Sequence, residues 1–362
     1  MKVKGKFLKG IKTGVSLLLV AVAAVCVIRR LPQVFSDRDT ALAAAAFTLT
    51  DGKVSVESGT EPGTTASAPA NATAPSDPPP TLNPLHKRDM SGYYDSYGNH
   101  SGEDCYYLTE RTIQSDGFGP DGCYIKNNTG LDVDFEKLLS ERLPFQADSG
   151  SDEPQVLIYH THTSEAYLDE DVGYYYESYY SRTGNNDYNV TAVGEAIASQ
   201  LRQHGIGVIH DTTVHDTTYN GSYDRSAQTV QALMKAHPSV KVVLDIHRDA
   251  LGTEESKVKT VFEYNGKKGA QIMILSGCDP DNERGFANWQ NNLRFALKLQ
   301  HEAERRFPGM TRPLDFGFFA YNEYLCDGSL LIEVGTDGNT VDEAAYAGQL
   351  LAEALAHVVG AN

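Results

Sequence analysis

From Gln155 to the C-terminus, short apolar runs alternate with longer stretches whose apolar positions recur at helical spacing. Val156-Leu157-Ile158-Tyr159 is the first such run, and it reads as a buried strand that stops abruptly at polar residues. Val190 to His204 carries Val193, Ile197 and Leu201 on one helical face, with Gly205 as its C-cap, and Ile206 to Ile209 returns as a strand. Arg225 to Ala236 is a second helix, turning Val230, Leu233 and Met234 inward, and Val240 to Ile246 is the next buried strand. Val258 to Tyr264 and Ile272 to Leu275 follow as strands, Trp289 to Phe307 as a long helix, Leu330 to Val334 as a late strand and Glu343 to Val358 as the closing helix. This alternation predicts an α/β fold, a mostly parallel sheet sandwiched by helices. Residues 151–362 are enough for one compact domain with its own core.

The N-terminal third has a different character. Lys2, Lys4, Lys6, Lys9, Lys12, Arg29 and Arg30 flank Thr13 to Ile28, an unbroken and mostly apolar run. Extended to Phe35, it approaches the ~20 residues that cross a bilayer, so residues 13–35 read as a transmembrane anchor behind a cytoplasmic tail, 1–12. Ala41-Leu42-Ala43 lies too far past the apolar core to serve as a signal-peptide cleavage site. Everything beyond Phe35 is therefore expected outside the cytoplasm, on a single-pass protein of the cell membrane. The formal net charge is −17, and setting aside the seven basic residues named above leaves about −24 on the exported part. That balance argues against a nucleic-acid or anionic-lipid partner.

Residues 36–89 read as a disordered linker, because Gly59 to Pro84 is dominated by Thr, Ala, Ser, Pro and Gly and has little apolar surface to offset the entropy of ordering. Residues 90–150 form an extracytoplasmic N-terminal region, rich in Tyr and Gly, in which Cys105 and Cys123 are spaced to close a disulfide loop. Leu131 to Leu139 reads as a turn and a short capped helix leading into the domain of residues 151–362.

Candidate chemistry gathers where the strands end, which is where ligands bind in such sheets. His160, His162 and Glu165 follow the first strand, and the last two form a His-x-x-Glu pair suited to zinc, which takes imidazole nitrogen and carboxylate oxygen. His247 ends the strand Val242-Val243-Leu244-Asp245-Ile246 and is the natural third ligand, with Asp245 or Asp249 available to orient its second ring nitrogen. Glu333 sits inside the apolar strand Leu330-Leu331-Ile332-Glu333-Val334, where an unpaired carboxylate is expensive unless it faces a reacting water as general base. A salt bridge from Glu333 to Arg248 is the competing explanation. Arg225 and Arg248 are candidates for gripping substrate carboxylates or a developing oxyanion, or else simply pair with nearby aspartates. Tyr174-Tyr175-Tyr176 and Tyr179-Tyr180 line a groove or pack on one another as a loop.

Tyr159-His160-Thr161-His162-Thr163-Ser164-Glu165-Ala166-Tyr167, Asp187-Tyr188-Asn189-Val190, His210-Asp211 with His215-Asp216, and Ser222-Tyr223-Asp224-Arg225-Ser226 together form a recognisable series. It continues through Asp245-Ile246-His247-Arg248-Asp249-Ala250, Asn288-Trp289-Gln290-Asn291-Asn292-Leu293, and Leu331-Ile332-Glu333-Val334-Gly335 with Asn339-Thr340. The series resembles the stage II sporulation protein P family over essentially all of Gln155 to the C-terminus. The resemblance implies a membrane-anchored, zinc-dependent N-acetylmuramoyl-L-alanine amidase with associated endopeptidase activity, of zinc amidase/carboxypeptidase-like fold, acting on peptidoglycan during spore engulfment. It further implies partnership with stage II sporulation proteins D and M. Zinc binding carries over to His162 and His247 and the base role to Glu333. Glu165 completes the ligand set, although ordinary zinc amidases place the carboxylate farther along the chain, which favours Glu177 or Asp187 here. His160 replaces His162 if the strand end is rotated. A zinc carboxypeptidase and a non-catalytic cell-wall binding module are the alternatives, the latter weakened by an intact His162, His247 and Glu333.

Overall fold

The computed structural model describes residues 78–88, 100–114, 119, 122–148, 150–151 and 153–360. The expected tail, anchor and linker up to residue 77 lie outside the described residues. Among the described residues, no helix is long and apolar enough to cross a membrane.

In chain order the strands are β1 (Cys105–Tyr107), β2 (Thr109–Arg111), β3 (Ile125–Asn127), β4 (Pro154–Tyr159), β5 (Tyr174–Tyr176), β6 (Gly207–His210), β7 (Val242–Asp249), β8 (Gly252–Thr253), β9 (Ser256–Tyr264), β10 (Lys267–Ala270), β11 (Ile272–Gly277), β12 (Leu314–Gly317) and β13 (Ser329–Thr336). The helices are α1 (Phe135–Ser140), α2 (Val190–Gln203), α3 (Ser222–Ala236), α4 (Trp289–Arg306) and α5 (Val341–Val358), with a 3₁₀ turn at Glu323–Leu325. A seven-stranded sheet runs β3-β12-β11-β13-β7-β4-β6. Neighbours are parallel throughout, except that β11 lies antiparallel to β13. The mostly parallel α/β expectation holds, and that single reversal brings the starts of β11 and β12 to the edge where β4, β7 and β13 finish.

Both faces are buried, which is why β4 and β7 read as continuous apolar runs. Val156, Ile158, Val242, Leu244, Ile246, Leu330 and Ile332 join the main core with residues of α1, α2, α4 and α5. The alternate positions Leu157, Tyr159 and Val243 face the other way, against Val230, Leu233 and Met234 of α3. The α2–α5 packing is close, because a Cβ on Gly348 would meet Val193 and Ile197 side-chain carbons at 3.1 and 3.2 Å.

The segment before β4 is woven into this domain. β1 pairs with β5, β2 with β9 and β3 with β12. Near the end of the expected linker, Asn83 bonds Ser199 and Gln200 of α2, and Arg88 pairs with Asp342 of α5. Cys105 is exposed and Cys123 buried, and no disulfide joins them, so the expected loop is not formed. Cys123 packs instead in the core, its Sγ 3.5 Å from the Leu297 carbonyl.

Candidate active site

β7 and β13 are in register with Glu333 opposite His247. Both side chains belong to the face opposite Ile246, Ile332 and Val334, so they rise together at the finishing edge of the sheet. The turn after β4 carries His162 to the same point, its ring perpendicular to His247 with centroids 5.3 Å apart. Glu165 follows, with Oε2 3.4 Å from His247 Nδ1. Asp245 Oδ1 lies 2.9 Å from His247 Nε2 and also accepts the Thr161 amide at 2.8 Å.

Electrostatics differ sharply among these groups. Burial lowers the pKa of His162 to about 4. Burial would lower that of His247 as well, but the Asp245 and Glu165 carboxylates outweigh it and raise the pKa well above the ordinary value. Burial opposes ionisation of Glu165, yet Arg248 and His247 hold its carboxyl well below the usual range. Glu333 goes the other way, pushed up to about 8 by burial and by the Asp249 charge.

The remaining expectations separate cleanly. His160 continues the Val156/Ile158 side of β4 and points away from the site, with Nδ1 2.8 Å from the Ile246 carbonyl and Nε2 3.0 Å from His210 Nε2. Gly194 makes room for that pair, since a Cβ there would sit 2.5 Å from His210 and 2.7 Å from His160. Glu177 is exposed beside β1, and Asp187 is 3.7 Å from His86. Arg248 is buried, and its guanidinium donates to the Ala166, Asp249 and Ser181 carbonyls, while its amide donates to Glu165 at 3.2 Å. It braces the Glu165 loop and makes no salt bridge to Glu333. Arg225 donates to the carbonyls of His215, Thr218 and Asn220, fixing the loop ahead of α3. Tyr175 and Tyr179 pack with Leu168 in a satellite core, leaving Tyr180 exposed.

Several site residues were given no role by the sequence, although Tyr223 lies within one of its motifs. Tyr219 stacks on His162 at 4.7 Å and is 55% exposed, while Tyr223 meets the same ring edge-on at 5.7 Å. Arg182 sits 5.8 Å from the Tyr219 ring centre, pairs with Asp216 at 3.1 Å and lies 3.6 Å from Glu165. Tyr321 packs on Tyr223 at 5.4 Å. Tyr321 (φ 37°) and Asn322 (φ 65°) both occupy the left-handed region, where non-glycine residues are strained and cluster at functional sites. Asn322 locks this turn by donating to Tyr223 O at 3.1 Å and Ser226 Oγ at 3.0 Å.

The donor set suits zinc in kind. His162 Nδ1, His247 Nε2 and Glu333 Oε2 are all buried without a hydrogen-bond partner, the Asp245 contact being close but poorly aligned. Two imidazoles with adjacent carboxylates are the donor types zinc takes, and His247, held charged by its two carboxylate neighbours, would give up a ring proton to bind it. Glu165, however, stands against His247 and Arg248, and among the described residues no three His, Cys, Asp or Glu side chains are gathered tightly enough for one ion.

Fold and site together define an α/β domain with a His/Glu cluster at the finishing edge of its sheet. The model for Stage II sporulation protein P (SpoIIP) matches residues 110–356, and the chain belongs to that family. It is 28% identical over 221 residues to stage II sporulation protein P of Bacillus subtilis (strain 168), a match covering 57% of this chain and 51% of the relative. The aligned part thus spans about half of that relative's length. Among solved structures, the apo N-acetylmuramyl-L-alanine amidase Ami1 of Mycobacterium abscessus shares 12% identity with a TM-score of 0.33, covering 57% of this chain and all of that one. The CwlD amidase of Clostridioides difficile, solved in complex with the GerS lipoprotein, shares 13% identity with a TM-score of 0.31, with 57% and 100% covered.

Proposed function

We propose that this chain is a sporulation peptidoglycan hydrolase that cleaves the amide between N-acetylmuramic acid and L-alanine, with endopeptidase activity as a second outcome of the same site. Membership of the Stage II sporulation protein P family carries the reading, joined by the meeting of His162, His247 and Glu333 at one sheet edge. His162, His247 and Glu165 would hold Zn²⁺, which supplies a Lewis acid for the scissile carbonyl and lowers the pKa of water.

The chain's own residues perform the rest. Glu333, half-buried with one oxygen unpartnered, accepts a proton from the attacking water and returns it to the leaving nitrogen. With zinc bound, the raised pKa of Glu333 would fall into a range useful for a base at neutral pH. Asp245, which also accepts the Thr161 amide, flanks His247, and Arg248 fixes Glu165 by its charge and its amide. Tyr219 and Tyr223 wall the His162 side against water. The basic residues flanking 13–28 support a single-pass anchor over 13–35, which would hold this domain at the cell membrane, facing peptidoglycan. Stage II sporulation proteins D and M are the partners the family suggests.

The test uses the full chain, with zinc content and digestion of purified peptidoglycan measured for wild type, His247→Ala and Glu333→Gln. Wild type should carry about one zinc and free peptides from glycan strands. His247→Ala should lose both, and Glu333→Gln should keep zinc while losing roughly 10²–10⁴ in rate. Undiminished cleavage by Glu333→Gln, or no peptide release by wild type, would overturn the proposal.

A further inference from the structure

The arginines around this edge differ in what occupies their donors. Arg248 is bound to backbone carbonyls and Arg182 to Ser164 and Asp216. Arg312 is different. It is 7% exposed, and among the described residues its one ion pair is from Nη1 to Asp249 Oδ2 at 2.8 Å, an approach without hydrogen-bond alignment that leaves Nη1 buried with no hydrogen bond. Among the described residues, its guanidinium makes no hydrogen bond, although the group carries five N–H donors in a fixed fork.

The place of Arg312 is set by its backbone. Its amide donates to the Ile272 carbonyl at 2.7 Å, and Ile272 pairs with Val334, the neighbour of Glu333. Gln300 Nε2 in turn donates to the Arg312 carbonyl at 3.2 Å, so the residue is anchored on both sides. The reversal between β11 and β13 is what delivers it here, because the segment entering β12 arrives at the edge where β13 ends. Burying Nη1 of an arginine without an aligned acceptor is costly unless a ligand completes it. A carboxylate is the ligand whose geometry matches that fork, accepting two parallel N–H bonds.

Resting on the amidase reading above, we propose that Arg312 is a specificity-determining residue which receives a carboxylate of an acidic peptide on the amine side of the scissile bond. The carboxylate is either that of an acidic side chain or the peptide's C-terminus. Asp249 holds the guanidinium in position until the substrate carboxylate joins it. The peptide is thereby fixed beside Glu333, and amidated peptides are disfavoured.

The test measures cleavage of N-acetylmuramoyl-L-alanyl peptides by the full chain, and calorimetric binding of the same peptides without the muramoyl group. The peptides carry free or amidated carboxylates, varied separately at the side chain and the C-terminus. Wild type should favour one free carboxylate by about tenfold or more in KM and Kd, as a charge-assisted bidentate pair provides. The sensitive position identifies which carboxylate is bound. Arg312→Gln should abolish the preference, and Arg312→Lys, which keeps a cation beside Asp249 and so protects the fold, should retain only part of it. Indifference of wild type to amidation, or an undiminished preference in both variants, overturns the proposal. Arg312-dependent binding without any cleavage would uphold it while refuting the amidase reading.

Discussion

His247 and Glu333 stand directly opposite one another on adjacent parallel strands, β7 and β13. Cross-strand neighbours on one face have Cβ atoms roughly 5 Å apart, so backbone hydrogen bonds fix the imidazole and carboxylate together without any direct bond between them. Position should therefore matter as much as charge. Glu333→Asp keeps the carboxylate but withdraws it by one methylene, and a misplacement of about 1 Å costs on the order of 10²-fold in rate. The expected outcome is a fall in kcat with KM little changed, read from initial rates on muramoyl peptides.

Zinc should be visible without any turnover. If His162 and His247 hold the ion only in the folded chain, adding zinc stabilises the protein by about 2.7 kcal/mol at a hundredfold excess over Kd. Thermal melts of wild type should rise with zinc and fall with a chelator, whereas those of His162→Ala and His247→Ala should be insensitive to both.

Arg248 should prove a stability residue. Its side chain satisfies three carbonyls, and it is the foremost charge holding the buried Glu165 ionised. Arg248→Ala leaves that carboxylate without its main partner, and breaking a buried pair costs roughly 3–5 kcal/mol. Denaturant unfolding should show the midpoint collapse. A variant that unfolds like wild type yet loses substrate affinity would return Arg248 to a substrate-gripping role.

Glu323 offers a pH signature of its own. It is wholly buried, and among the described residues Oε2 accepts only the Gly277 amide, at 2.9 Å, and Oε1 has no hydrogen-bond partner. Burial raises its pKa well above the ordinary 4.5. The folded state then binds more protons than the unfolded state above pH 4.5, so this residue removes stability as pH rises through that window. One such group contributes a slope of at most about 1.4 kcal/mol per pH unit. Glu323→Gln should be more stable than wild type at neutral pH, and the gain should vanish below pH 4.5, as followed by melting across pH.

The amino-acid sequence by itself determined the alternation of strand and helix, because residues buried on both faces of a sheet must be apolar in unbroken runs. It also determined that His162, His247 and Glu333 end such runs or interrupt them, since a polar group placed there is costly without a purpose. Tertiary structure alone decided the rest. His160 and His162 are two residues apart, yet His160 still follows the alternation of β4 while the turn carries His162 to the opposite side. No side-chain pattern distinguishes the arginines. Arg225 and Arg248 are satisfied by backbone carbonyls that every residue possesses, and Arg312 reaches the edge only because β11 runs against β13. Cys105 and Cys123 have the spacing of a bridge, but one is drawn into the core and the other left on β1. Identity and local spacing reveal which groups need partners. Only long-range pairing of strands decides which partners they meet, because those contacts join segments whose sequences carry no record of one another.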